Sequence, residues 1–312
     1  MAKNAFLFPG QGAQYPGMAK DLWEHSGEVK ELFDLASDIS KMDLKRLLFE
    51  GSEEELKATD KTQVAVTLAS LAASLVLKEF DIKPDGFAGF SLGEYPAIYE
   101  AGIIKIEDLF RIVKVRGELM EKASRKLDSS AGNAGMAAVI GLKFDKALEA
   151  MEDLKGTDVY LANYSSPIQV VLAGTADGLK KAEGVFKEKG AKRFIMLKVS
   201  GPFHSPLLEY ARAGLEEFLS DVDFSDPKLP VYANVTGDII KSGTEAKENC
   251  IKQVVSLVKW VNEEESLLRD GFTGYYEVGP GKVLTGLWRS FNREYVCNPS
   301  GTLEEIKKLA EG

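Results

Sequence analysis

Histidine and cysteine are scarce in this chain, and their scarcity limits the chemistry that the sequence can support. Its 312 residues include two histidines, His25 and His204, and two cysteines, Cys250 and Cys297. The cysteines lack metal-ligand spacing and have no histidine nearby, so the sequence indicates neither a zinc site nor a disulfide framework. We therefore expect no bound metal and a reducing, cytoplasmic setting.

Long apolar runs and an excess of positive charge are also missing. The longest apolar run, residues 64–77, is too short to cross a bilayer and predicts a buried helix. The N-terminus reaches Pro9 and Gly10 too soon for a signal-peptide core. Lys and Arg number 39 against 48 Asp and Glu, a net charge of −9, which argues against nucleic acid and anionic membranes as partners. An anionic partner would need a local basic patch.

The order of apolar segments predicts an α/β protein with a smaller unit inserted into a larger one. In the larger unit the patterns predict strands at 5–8, 86–90, 230–234 and 274–278, and helices at 17–24, 27–37 and 62–79. Residues 129–197 instead follow a βαββαβ order, which is the ferredoxin-like pattern. A polar, glycine-bearing segment at 128–135 marks the boundary. We therefore predict one discontinuous domain, 1–128 with 198–312, and a subdomain at 129–197.

The segment Gly89-Phe90-Ser91-Leu92-Gly93 is the strongest indication of chemistry. It lies between a predicted strand and a helix that begins at Gly93-Glu94, so Ser91 occupies a sharp turn. Glycines permit such a turn to expose a serine hydroxyl, and the helix directs its N-terminal N–H groups at the reacting centre. We interpret Ser91 as a nucleophile and the Leu92 N–H as an oxyanion donor. A purely structural glycine turn is the alternative.

A serine nucleophile needs a base, and the two histidines differ in context. His204 lies in a loop between Pro202 and Pro206, whereas His25 lies at the end of an amphipathic helix. A rigid loop at the rim of an α/β sheet positions a base better than an exposed helix end. We therefore predict that His204 is the base and that His25 is solvated.

The group that would orient the histidine is not evident from the residues alone. Asp221, Asp223 and Asp226 follow His204, but they lie in a polar stretch typical of a solvated surface. No Ser-His-Asp triad is assigned from them. A carbonyl or amide oxygen could orient the imidazole instead.

Arg116 is a cation on an apolar face. In the helix predicted from Ile106 to about residue 123, it shares one face with Leu109, Ile112, Val113, Leu119 and Met120. A guanidinium in that position needs an anion. An internal ion pair is one explanation, and a bidentate clamp on a substrate carboxylate is the other, which suits Arg better than Lys. Arg111 and Lys114 lie off this face and are interpreted as solvated.

The loop at 8–14, FPGQGAQ, is a weaker indication. It lacks the Lys-Ser/Thr of a phosphate-binding P-loop and the full spacing of a dinucleotide fingerprint. Its functional interpretation is a backbone donor, at Gln11, that faces the oxyanion across the nucleophile turn.

Taken together, five segments resemble the malonyl-CoA:acyl carrier protein transacylase family, in the right order and nearly end to end: FPGQGAQ at 8–14, GFSLGE at 89–94, Arg116, GPFHSP at 201–206 and YEVGPGKVLTGL at 276–287. The resemblance implies an α/β-hydrolase-like large domain that carries a ferredoxin-like small one. It thereby accounts for the βαββαβ insertion.

The resemblance also implies a role for each matching residue. Ser91 matches the nucleophile, His204 the base and Arg116 the malonyl-binding arginine, while Gln11 and Leu92 match the oxyanion hole. Gln253 matches a glutamine whose carbonyl orients the histidine. Residues implied to line the site are Gln63, Asn163 and Phe203, the last of which fits the malonyl-preferring members. Phe90 departs from the family, since many members have histidine there.

The implied reaction is ping-pong transfer of malonyl from malonyl-CoA to acyl carrier protein for fatty acid synthesis. It requires no metal or redox cofactor. We also expect the protein to be a monomer. A polyketide acyltransferase shares the motifs, and a serine thioesterase or esterase would use the same Ser91 and His204 with water. A hydrolase of neutral esters, however, gains nothing from Arg116. For the acidic carrier protein we predict a basic docking patch, although an ordinary solvated helix end is an equally good interpretation of these residues: Lys187, Lys189, Lys192 and Arg193.

Overall fold

The computed structural model describes residues 3–128 and 132–311. Its strands are β1 Asn4–Phe8, β2 Gly86–Gly89, β3 Gly135–Ile140, β4 Val159–Ser166, β5 Gln169–Gly174, β6 Arg193–Met196, β7 Tyr232–Ala233, β8 Asp238–Ile239, β9 Gly274–Glu277 and β10 Cys297–Pro299. Its helices are α1 Lys20–His25, α2 Gly27–Ser40, α3 Leu44–Glu50, α4 Glu53–Lys57, α5 Thr59–Glu79, α6 Glu94–Glu100, α7 Ile106–Arg125, α8 Phe144–Glu152, α9 Ala176–Glu188, α10 Glu209–Leu219, α11 Gly243–Gln253, α12 Trp260–Arg269, α13 Val283–Phe291 and α14 Leu303–Glu311. Short 3₁₀ turns cover Ser91–Gly93 and Pro206–Leu208.

A parallel sheet organises the larger unit. Its strand order is β10-β9-β1-β2, and every pair in it is parallel. Next to β2, the segment before β7 adds a parallel bridge between Phe87 and Val231. The carboxyl ends of β1, β2 and this segment therefore meet at one edge of the sheet, which is where ligands of open α/β sheets bind.

An antiparallel sheet forms the smaller unit, with the strand order β4-β5-β3-β6. Helices α8 and α9 pack against it around a separate apolar core that includes Leu172 and Phe186. The order and directions are those of the ferredoxin-like pattern, so the predicted α/β fold class is confirmed. The boundaries at 128/129 and 197/198 stay predictions, and residues 129–131 of the boundary segment lie outside the described residues.

Two long helices place the polar side chains of the large unit. Helix α5 is buried over most of its length, as the apolar run at 64–77 predicts. Helix α7 lies against it, and a Cβ at Gly117 would press on the backbone at Thr59 and Asp60, so glycine allows the close approach. This packing turns Arg116 toward Gln63 of α5.

Neither a membrane-spanning helix nor a cluster of metal-ligating side chains occurs among the described residues. Within residues 3–128 and 132–311, none of the helices has the length and apolar character needed to span a bilayer. The same part of the chain has no group of three or more His, Cys, Asp or Glu side chains placed to hold a metal ion.

Candidate active site

Ser91 lies in a strained turn at the carboxyl end of β2. Its φ is 54°, in the left-handed region, which costs an ordinary residue roughly 1–2 kcal/mol. The turn is also tightly packed, because a Cβ at Gly93 would overlap the Phe8 carbonyl at the end of β1. The glycines of the Gly-x-Ser-x-Gly segment therefore permit both the turn itself and the close approach of its backbone to the end of β1.

His204 is the partner of this serine. The Ser91 Oγ lies 2.6 Å from His204 Nε2, which is the distance of a short hydrogen bond between oxygen and an imidazole. His204 is itself left-handed, with a φ of 59°, and the Ser205 hydroxyl donates to the Pro202 carbonyl 2.6 Å away. Backbone strain at both members of a pair is typical of a functional site.

The orienting acceptor of His204 is a backbone carbonyl. His204 Nδ1 lies 2.8 Å from the Gln253 carbonyl oxygen at the end of α11. An amide carbonyl only accepts, so Nδ1 carries the proton and Nε2 presents its lone pair to Ser91. Burial and then the nearby Arg116 charge lower the pKa of His204 to about 3. The imidazole is therefore neutral at physiological pH and able to accept a proton.

Arg116 is buried beside the nucleophile. Its side chain is 1% exposed, and two glutamine side-chain carbonyls accept from it: Gln63 Oε1 from Nη1 at 2.8 Å and Gln253 Oε1 from Nη2 at 3.0 Å. Nη2 also lies 3.4 Å from Ser91 Oγ. A guanidinium has five N–H donors, so donors remain for a ligand.

No carboxylate of the described residues lies within 4 Å of Arg116, which removes the internal ion pair as an explanation. Glu94 is connected to Arg116 only through Gln253, whose Oε1 accepts from Arg116 and whose Nε2 donates to Glu94 Oε2 at 2.6 Å. Burial raises the pKa of Glu94 to about 7, against the lowering effect of that hydrogen bond and of Arg116. Burial likewise raises the pKa values of Glu263 and Glu264 well above the ordinary value. The guanidinium charge is thus incompletely compensated.

The two predicted oxyanion donors belong to the loop after β1 and to the nucleophile turn. Gln11 follows Gly10, whose Cβ would press on the Phe90 carbonyl, so the loop after β1 touches the nucleophile turn. Leu92 is the middle residue of the 3₁₀ turn. Within the part of the chain that the structure describes, neither backbone N–H has an acceptor, which is what a donor reserved for a ligand requires.

A small open cavity leads to these groups. Its lining includes the predicted Asn163 and Phe203, and Asn163 Oδ1 is buried with no hydrogen-bond partner among the described residues. Apolar side chains form the rest of its wall: Met120, Met136, Leu197 and Val199. Phe90 lies at the edge of the cavity and packs edge-on against Trp260 with 5.5 Å between ring centroids.

The other sequence candidates lie elsewhere. His25 ends α1, stacks on Phe80 and faces Glu79 at 3.7 Å. Asp221, Asp223 and Asp226 are exposed. Sequence reasoning missed Asn234 and Glu94, which are buried directly behind Ser91. No motif marks Asn234, and Glu94 looked like an ordinary helix-opening acid.

Comparisons with known proteins agree on one family. The family described as "Acyl transferase domain" matches residues 5–289. The Malonyl CoA-acyl carrier protein transacylase of Bacillus subtilis is 41% identical over 295 residues, which cover 94% of this chain and 92% of that protein.

Solved structures agree as well. MCAT from Streptococcus pneumoniae superposes with a TM-score of 0.93 at 35% identity, covering 99% of both chains. A second match is described as a type II PKS acyl-carrier protein in complex with its malonyl-transacylase, PlMCAT:AntF. It has a TM-score of 0.93 at 34% identity and also covers 99% of both chains.

Proposed function

We infer the reaction of this chain from its family, since the chain belongs to the malonyl CoA-acyl carrier protein transacylases, which carry the acyl transferase domain. The protein is an acyltransferase that moves the malonyl group from malonyl-CoA to acyl carrier protein. The residue roles, the use of the product in fatty acid synthesis, the cytoplasmic setting and the monomeric state are our proposals.

The observation that carries the residue assignment is the distance of 3.4 Å between Arg116 Nη2 and Ser91 Oγ. In a malonyl thioester, a single methylene group separates the carboxylate from the carbonyl carbon. A cation that binds the carboxylate must therefore lie about one hydrogen bond from the nucleophile. Arg116 satisfies this condition, and its charge has no carboxylate within 4 Å among the described residues.

In the first half-reaction, Ser91 Oγ attacks the thioester carbonyl carbon as His204 Nε2 takes the hydroxyl proton. The backbone N–H groups of Gln11 and Leu92 are proposed to bind the oxyanion. The carbon–sulfur bond then breaks, and the CoA sulfur leaves with the proton from His204. A malonyl ester of Ser91 remains.

Substrate binding also changes the base. The positive charge of Arg116 is the second cause of the low pKa of His204, after burial. A malonyl carboxylate on Arg116 offsets that charge, so the pKa of His204 rises when the correct acyl group is bound. We propose that malonyl binding thereby makes His204 a stronger base, which favours malonyl over neutral acyl groups.

In the second half-reaction, the phosphopantetheine thiol of the carrier protein loses its proton to His204 and attacks the ester. The carbon–oxygen bond to Ser91 breaks, and the serine regains its proton from His204. The CoA sulfur receives the proton of Ser91, and the carrier thiol proton replaces it on Ser91, each through the same imidazole, so we propose that the cycle uses no metal and no redox cofactor.

A polyketide carrier protein is the second candidate acceptor. The observation in its favour is the match to the complex described as a type II PKS acyl-carrier protein with its malonyl-transacylase. A comparison of kcat/KM for a fatty acid carrier and a polyketide carrier decides between them, and we expect the fatty acid carrier to be at least tenfold better.

The test of the proposed function is malonyl transfer followed by intact-protein mass spectrometry. With malonyl-CoA alone, the wild-type protein should keep a stable malonyl-sized increment, and holo carrier protein should then remove it and carry it. Acetyl-CoA should give little adduct. Release of CoA and free malonate without a lasting adduct would instead indicate a thioesterase.

We propose that the carrier protein docks near Lys192 and Arg193. Lys187 is paired with Glu183 and Lys189 with Asp153, so their charges are offset locally. Lys192, just before the edge strand β6, and Arg193, at its start, are exposed, and no carboxylate of the described residues lies within 4 Å of them. The same strand leads into Leu197, which lines the cavity.

Charge reversal at Lys192 and Arg193 should raise the KM for carrier protein by roughly tenfold at low salt, because charges at the rim of an interface steer association. The KM for malonyl-CoA should stay within twofold. Lys187→Glu combined with Lys189→Glu is the matched control, since it also reverses two positive charges, at the end of α9. Equal effects on both substrates, or an equal effect of the control, would exclude this docking site.

A further inference from the structure

Asn234 is a fully buried polar residue that the mechanism above leaves without a role. It follows β7 at the same edge of the sheet as Ser91, and its exposed fraction is 0%. Its neighbour strand is β2, through the bridge between Phe87 and Val231. A buried amide side chain has two donors and an acceptor oxygen to satisfy, so its contacts are informative.

The side chain of Asn234 contacts the nucleophile turn on both sides. Its Oδ1 accepts the Ser91 N–H at 2.7 Å, and its Nδ2 donates to the Gly89 carbonyl at 2.6 Å. Nδ2 also donates to Glu263 Oε1 of α12 at 2.8 Å. Because an N–H faces Oδ1 and two acceptors face Nδ2, the orientation of the amide is unambiguous.

We propose that Asn234 is a positioning residue that braces the nucleophile turn. The two arms of its amide join Gly89 to Ser91 across Phe90, the residue between them. The amide thereby satisfies the Gly89 carbonyl and the Ser91 N–H, which the left-handed conformation of Ser91 leaves outside the hydrogen bonds of the sheet and of the following helix. With these bonds in place, Ser91 Oγ is held at 2.6 Å from His204.

This role also determines which backbone N–H groups of the turn remain free to bind an oxyanion. The Ser91 N–H is bound to Asn234 behind the turn, so it is not available to an oxyanion on the cavity side. The Leu92 N–H, one residue further, has no acceptor among the described residues. The brace thus explains why Leu92 and Gln11, and not Ser91, are left for the reacting oxygen.

Asn234 connects the nucleophile with the group that orients the base. Gln253 Nε2 donates to the Ser91 carbonyl at 2.9 Å and lies 3.3 Å from Asn234 Oδ1. The carbonyl of the same Gln253 holds His204. Ser91 and His204 therefore share one buried network, and Glu263 anchors it from α12.

The inference rests on the proposed function, and its test uses two acylating reagents so that the two can fail separately. The first is malonyl-CoA, whose acylation of Ser91 is followed at rising concentrations by rapid quench and mass spectrometry. The second is a fluorophosphonate, which labels an activated serine hydroxyl and needs no carboxylate site. If the wild-type protein is not acylated by malonyl-CoA but is labelled by the fluorophosphonate, the proposed function is contradicted. The positioning role of Asn234 can then still be tested with the fluorophosphonate.

Asn234→Ala should lower the limiting acylation rate about 100-fold while the malonyl-CoA concentration at half-saturation changes less than threefold. Fluorophosphonate labelling should slow by a similar factor, because the Oγ is displaced for either reagent. A limiting rate within threefold of wild type, or a change in half-saturation alone, would overturn the proposal.

Two further variants separate positioning from stability. Ser266→Ala removes another buried hydrogen bond of α12, to the Gly237 carbonyl, and should lower Tm without slowing either labelling reaction. Asn234→Asp keeps an oxygen for the Ser91 N–H but loses both donors, so its limiting rate should lie between those of wild type and Asn234→Ala. If Asn234→Ala does not fold, an Asp variant that acylates at the wild-type rate overturns the proposal, and a tenfold slower one supports it.

Discussion

Ser91→Ala is expected to abolish formation of the acyl-enzyme and to lower malonyl transfer by a factor on the order of 10⁴ to 10⁶. The reason is chemical, since no other hydroxyl of the described residues lies within hydrogen-bonding distance of His204 Nε2. The measurement is intact mass after brief incubation with malonyl-CoA, together with the steady-state rate of carrier malonylation.

Ser74→Ala provides the matched control for this prediction. Ser74 is another buried serine, and it lies on α5, away from the cavity. Its Oγ donates to Glu100 Oε1 at 2.7 Å. Its loss should leave the adduct intact. A malonyl increment on the Ser91→Ala protein would assign the nucleophile to another residue and would remove the basis of the ping-pong scheme.

Arg116→Ala is expected to reverse the choice of acyl group. Breaking a buried, charge-assisted clamp costs about 3–5 kcal/mol, so the acylation kcat/KM for malonyl-CoA should fall by roughly 10² to 5 × 10³. Acetyl-CoA, which has no carboxylate to bind, should acylate Ser91 at least as fast as in wild type. The ratio of the two kcat/KM values is therefore the quantity to measure.

The same variant should change the pH dependence of acylation. Acylation requires neutral His204, and burial together with Arg116 keeps the pKa of His204 far below its ordinary value. In wild type the acetyl-CoA rate should therefore stay constant as pH falls through 6.5, the ordinary value. Without the guanidinium the pKa of His204 rises, so the rate should begin to fall at a higher pH than in wild type.

Arg111→Ala serves as the control for both measurements. Arg111 lies on the same helix, but it is exposed and paired with Asp108. Its removal should leave the acyl preference and the pH profile unchanged. A parallel loss of malonyl and acetyl acylation in Arg116→Ala would mean that the arginine supports the fold of the site and does not select the substrate.

The sequence was informative where a single residue type or spacing limits the choice. With two histidines in the chain, context alone separated His204 from His25. The apolar face of α7 identified Arg116 as an anomaly, but left both an ion pair and a substrate clamp possible. The packing of α5 on α7 favours the clamp, because it surrounds Arg116 with the neutral carbonyls of Gln63 and Gln253.

The orienting group of His204 could not be found from residue chemistry. It is a backbone carbonyl, which every residue has, so the residues themselves left it open and Gln253 entered through the family resemblance. Asn234 was missed for a related reason. An asparagine after a short strand looks like any turn residue, and its value depends on which backbone atoms the fold places around it.

Local patterns of the sequence determined the α/β fold class, the ferredoxin-like order, the turn at Ser91 and the prediction of His204 as its base, because each depends on periodicity, glycine spacing or composition. Only the tertiary structure shows that no carboxylate of the described residues lies within 4 Å of Arg116, that His204 Nδ1 faces the Gln253 carbonyl, and that Asn234 Oδ1 accepts the Ser91 N–H. These contacts join residues that are far apart in the chain, with sequence separations of 25 to 162 positions. They form only when the sheet and helices pack, and burial then strengthens them by removing water from the polar groups.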